Sequence, residues 1–118
     1  MKGLPLLLFS FFLSACTTIS ESGYFWGDYA KTSYLLVSDQ SEKSLNLHLE
    51  ELQNIVEISN EKDLKVPPGV YAEIGYVLVK LGREFEANDY FRLELKVYPE
   101  AGVFLRRFME QSNEAARE

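Results

Sequence analysis

Only one cysteine and one histidine stand among the 118 residues, so a thiolate, an imidazole base or a soft metal ligand could come only from Cys16 and His48. His48 has Glu50 and Glu51 close by. A zinc-type centre takes three or four protein ligands, however, and no further His or Cys completes the set. His48 is therefore expected on the solvated face of a helix, with no metal. A Ser-His-Asp arrangement would need a nucleophile held on a sharp turn, and no serine has the flanking glycines of a nucleophile elbow. No Gly-rich phosphate loop is present. The 18 Asp and Glu outnumber the 12 Lys and Arg without visible pattern, giving a net charge of −6 that reads as an acidic surface. Nucleic acid is excluded as a partner, because phosphate contacts require a basic stripe, and anionic lipid headgroups are disfavoured for the same reason. No catalytic residue, metal or cofactor is expected, and the chain reads as a non-enzyme.

Cys16 points elsewhere. Lys2 is followed by an apolar run from Leu4 to Leu13, interrupted by Pro5 and Ser10, and then by small residues ahead of Cys16. This is the layout of a secretory signal; the run is about half of the roughly 20 residues that span a bilayer as a helix. Leu13-Ser14-Ala15-Cys16 resembles the lipobox of bacterial lipoproteins. The resemblance implies cleavage after residue 15 and acyl chains, of the palmitate type, on Cys16 as the new N-terminus. Each buried methylene contributes about 0.8 kcal/mol and one chain holds only marginally, so several chains make a lasting tether. Thr17 stands where an Asp would favour retention in the inner membrane. By that resemblance the protein is expected on the periplasmic face of the outer membrane. As the sole thiol, Cys16 also excludes an intrachain disulfide.

Residues 16–23 read as a short polar tether, and residues 24–118 as one helical domain. Thr17 to Gly23 extends at most about 25 Å, which keeps the domain near the membrane. After the aromatic cluster Tyr24-Phe25-Trp26, Asp28 is expected to cap a first helix to about Val37, with Tyr29, Leu36 and Val37 on one face. Ser41 is expected to cap a second helix from Glu42 to about Ser59, whose Leu45, Leu49, Leu52 and Val56 form a buried stripe. Val66-Pro67-Pro68-Gly69 stops any helix before it and opens a third. From there Tyr71, Ile74, Gly75, Leu78, Gly82, Ala87, Phe91 and Pro99 fall at the positions of one tetratricopeptide repeat of about 34 residues. Gly75 and Ala87 would let two helices approach, Gly82 would make the turn, and Pro99 would end the pair. Glu94 departs from the pattern, standing where such repeats carry a small residue. A last helix from about Glu100 to Ser112 would cover the pair with Val103, Phe104 and Phe108, and less regularly with Leu105 and Met109. The expected fold is all-α: four to five helices in antiparallel pairs of tetratricopeptide-repeat type, with the first two helices as a degenerate repeat.

The mature chain as a whole resembles a family of small bacterial lipoproteins, domain of unknown function 4810. The resemblance rests on Cys16, on Tyr24-Phe25-Trp26-Gly27-Asp28-Tyr29, on Val66-Pro67-Pro68-Gly69-Val70-Tyr71-Ala72-Glu73 with Gly75-Tyr76, and on Pro99-Glu100 with Val103-Phe104. It carries no established activity. It does imply neighbourhood with another small lipoprotein and with a lipoprotein resembling the curli secretion pore, and hence a role in an envelope assembly.

Two surfaces are candidates for a partner. In tetratricopeptide repeats the face of the third helix that carries Ala72, Tyr76, Val79 and Lys80 would line a groove able to grip a peptide. Trp26, with Tyr24 and Phe25, either packs as a lid over the first helices or touches membrane or partner. The expected function is a membrane-tethered protein adaptor with an envelope protein as partner. An accessory or hydrolase acting on cell-wall glycan is the alternative, and a structural subunit of an oligomer is a third reading.

Overall fold

Local signals start and stop the helices of the computed structural model, which describes residues 23–115 and 117. The expected signal peptide and Cys16, the expected lipidation site, lie outside the described residues. Five α-helices and one 3₁₀ turn, with no strand, occur among them: α1 Tyr29–Ser38, α2 Glu42–Glu61, α3 Val70–Lys80, α4 Glu84–Val97, the turn Pro99–Ala101, and α5 Gly102–Ala115. The all-α expectation and the helix number hold.

The Ser41 side chain accepts from the Ser44 amide at 3.3 Å, so α2 is capped as expected. Two helices end in Schellman motifs. At the end of α3 the Arg83 amide donates to the Leu78 carbonyl at 2.9 Å and Gly82 to Val79 at 3.0 Å, with Gly82 at φ 75° supplying the left-handed residue. At the end of α2, Asp63 takes that position at φ 53° and Leu64 donates back to Ser59. By contrast Asp28 makes no side-chain cap on α1.

Burial closes the helices on one another in sequence. α1 packs on α2, α2 on α3, and α3 on α4 as an antiparallel hairpin, with α5 laid over α4 and touching α3. The core is Leu49, Leu52 and Ile55 of α2, Val70, Ile74, Val77 and Leu78 of α3, Ala87 and Phe91 of α4, and Leu105 of α5. Gly75 and Phe91 set the hairpin spacing: a Cβ on Gly75 would lie 2.7 Å from Cδ1 of the Phe91 ring. Among the described residues no helix is long and apolar enough to cross a membrane.

Three registers differ from expectation. In α1, Tyr29 and Leu36 pack inward but Val37 is 77% exposed, and Thr32 faces α2 instead. Positions 29, 32 and 36 share a helical face, whereas 37 is turned about 100° from 36. The α2 stripe centres on Ile55, leaving Leu45 and Val56 at its margins. In α5 the inward set is buried Leu105 with half-buried Phe108 and Met109, at i, i+3 and i+4, while Val103 and Phe104 are exposed.

Candidate binding groove

α3 and α5 do not close completely, and small residues line the gap: Gly69 just before α3, Ala72 in its first turn and Ala101 in the 3₁₀ turn before α5. The result is a groove of about 620 Å³. Phe91 forms its floor, Tyr76 and Ala72 one wall, and Phe104 and Phe108 the other. The rings touch edge to face, Tyr76 to Phe108 at 6.2 Å between centroids, with Phe104 tilted on Phe108 at 5.0 Å. Tyr76 remains 39% exposed and Phe104 65%, so much aromatic surface stays in contact with water. At one end Tyr98 donates to the Val66 carbonyl at 2.5 Å and lies under the Lys65 ammonium at 4.5 Å. Burial, and then the neighbouring Tyr24 phenol, push the Tyr98 phenol pKa up.

Glu73, Glu94 and Glu100 also line the groove, and no Lys, Arg or His does. Glu94 is buried, and its carboxylate accepts from the Gly69 amide at 2.7 Å and the Ala72 amide at 3.3 Å. It caps α3 from the neighbouring helix and satisfies amides that Gly69, having no side chain, cannot. The departure from the small residue of the repeat pattern thus has a local structural role.

On the other side of Tyr76 a second groove of about 370 Å³ runs between α1 and α3, bordered by Leu36, Val37, Glu73 and Lys80. Tyr76 and Glu73 form the ridge between the two. Of the residues singled out from sequence, Ala72 and Tyr76 line the first groove and Tyr76 and Lys80 the second, with the Lys80 ammonium 5.5 Å from the Tyr76 ring. Val79 is half-buried against the core and lines neither groove. Trp26 lines neither; it packs edge-on against Tyr29 at 5.2 Å and is 38% exposed. Beside it Phe25 packs on the core beneath the Lys62 ammonium. Phe104, Phe108, Tyr98 and Glu73 also line the first groove, with no place in the groove expected from the sequence. The aromatic spacing of α5 was the available signal, but it reads equally well as simple cover.

His48 corrects an expectation. It is fully buried and sits on no solvated face. Its Nδ1 lies 2.8 Å from the Thr32 hydroxyl of α1 and its Nε2 2.6 Å from Glu73 Oε1 of α3, while the Tyr29 hydroxyl donates to Glu73 Oε2 at 2.7 Å. Burial, then the bond and charge of Glu73, push the Tyr29 pKa up to about 12. Hydroxyl, imidazole and carboxylate line up as nucleophile, base and orienter would, but Thr32 is buried in a helix with its hydroxyl within 3.4 Å of the Asp28 and Tyr29 carbonyls. The arrangement pins three helices together and holds Glu73 at the groove ridge. No group of three or more His, Cys, Asp or Glu able to hold a metal occurs among the described residues.

A family model described as Domain of unknown function (DUF4810) matches residues 24–108, which include every helix and both grooves except the end of α5. No curated protein and no solved structure matches the chain.

Proposed function

The chain belongs to the DUF4810 family, and on that premise we propose that it is a lipid-anchored adaptor, held by Cys16 on the periplasmic face of the outer membrane, that docks a protein partner in a cell-envelope assembly. The observation carrying this reading is the aromatic groove between α3 and α5, where Tyr76 and Phe104 remain in water beside a largely apolar floor. Apolar surface of this kind on a small domain marks an interaction site, and aromatic anchors dominate the energetics of such sites. The helix order supports a tetratricopeptide-like reading: α1–α2 and α3–α4 form successive pairs, and the grooves lie along the first helices α1 and α3 and along α5. The partner implied by the family resemblance is another envelope lipoprotein, one resembling the curli secretion pore.

The glycan-hydrolase alternative needs an acid and a base available to substrate. In the groove Glu94 is occupied by backbone amides and Glu73 by His48 and Tyr29, which favours the adaptor. Two experiments test the proposal. Cys16→Ser should shift the protein from the membrane to the soluble periplasmic fraction and block signal maturation; continued membrane fractionation with unchanged maturation contradicts the anchor. Crosslinking in the envelope should capture a defined protein through the groove, and failure to capture any protein contradicts the adaptor.

A further inference from the structure

We infer that the occupant of the α3–α5 groove is a segment of a partner protein that combines apolar side chains with at least one Lys or Arg, the cation pairing with Glu100 at the groove mouth. The inference rests on the adaptor reading and adds the partner's chemistry.

The groove is apolar in its walls and anionic in its charge. Its three ionisable carboxylates face no Lys, Arg or His in the lining. Glu94 is compensated by the amides at the start of α3, and Glu73 by the imidazole and phenol that hold it. Glu100 differs: it is exposed, sits in the 3₁₀ turn between α4 and α5, and makes no salt bridge among the described residues. An apolar segment entering between Tyr76 and Phe104 passes Glu100 and the edge of Glu73, and would bring their negative potential into a less watery setting, where unpaired charge is costly. A cation on the entering segment removes that cost and fixes its register.

Other occupants meet opposition from the same groups. A second copy docked by the same face about a two-fold axis places acidic groove against acidic groove, since an isologous contact uses one patch twice. An anionic lipid surface is repelled by Glu100 and by the net charge of −6.

The test uses the full chain in its native envelope, with a photo-crosslinking phenylalanine analogue placed at Tyr76, at Phe104 or, as a position outside the groove, at Phe85, which is 83% exposed. Crosslinked peptides are sequenced, and each measurement is repeated with Glu100→Lys after circular dichroism shows an unchanged fold. The expected result is that Tyr76 and Phe104 positions, and not Phe85, attach to one segment of another protein carrying a Lys or Arg within about one helical turn of the attachment. Glu100→Lys should lower that yield about fivefold, the scale of an exposed ion pair reversed in sign, and changing the partner's cation to Glu should restore it. Attachment to a partner segment without a cation, or yields indifferent to Glu100→Lys, overturns this inference and leaves the adaptor standing. Attachment to this chain, to a second copy or to lipid overturns the inference on the occupant. No protein attached at either groove position overturns both.

Discussion

Glu94 of α4 accepts a hydrogen bond from the amide of Gly69, 25 residues earlier, at 2.7 Å. The start of α3 is therefore finished by its neighbour, and helix capping and hairpin packing become one event. Glu94→Ala leaves the Gly69 and Ala72 amides without this acceptor beside the groove, and about 2 kcal/mol of stability should be lost in urea unfolding. Glu94→Gln keeps one acceptor oxygen and should lose about half as much. Equal stability of wild type and Glu94→Ala would show that the cap contributes nothing.

The buried bridge from Thr32 through His48 to Glu73 should behave as a unit. His48→Leu fills a similar volume but strands one Glu73 oxygen and takes the imidazole from the Thr32 hydroxyl, which keeps only its own helix carbonyls, and should cost about 2–4 kcal/mol. Combining it with Glu73→Gln should cost clearly less than the sum of the two single changes, since both remove the same contact. Strict additivity in that double-mutant cycle would contradict the coupling.

Alkaline pH gives an independent reading of the same network. The Tyr29 pKa is pushed up to about 12 from 10.0, so the folded state holds the phenolic proton more tightly than the unfolded chain. The associated stability is fully present below about pH 10 and drains away as the pH rises towards 12. The ring is partly in solvent, so the loss assignable to Tyr29 should be about 1 kcal/mol, reduced by screening from what the full shift would give. Tyr29→Phe should flatten the fall in stability between pH 10 and 12 while lowering the neutral-pH value; an unchanged slope rules out this assignment. Tyr98, whose pKa is also raised, should leave a residual slope.

The helices were legible in the sequence because their signals are local. Ser41 caps where it should, Gly82 turns where it should, and Gly75 sits under Phe91 as a close approach demands. Registers were less legible where apolar residues run together. Val103-Phe104-Leu105 offers three candidates for one inward position, and only packing against α4 selects Leu105. The place of His48 is not legible for a non-local reason: the lack of further metal ligands points to a solvated face, whereas Thr32 and Glu73 arrive from other helices and satisfy both ring nitrogens. The groove was half legible, since Ala72 and Tyr76 follow from the resemblance to a tetratricopeptide repeat but Phe104 and Phe108 join them only through the α5 register.

The central claim is that the α3–α5 groove docks a protein partner at the membrane. Its most direct measurement is the amount of partner recovered with the chain from crosslinked envelopes when Tyr76 and Phe104 are both changed to Asp, against Phe85→Asp as the exposed position outside the groove. The account predicts at least a tenfold loss for the groove pair, as for removal of interface anchors worth above about 1.4 kcal/mol, with Phe85→Asp unchanged. Equal recovery from the groove variant and the wild type, at equal cellular levels, would contradict it.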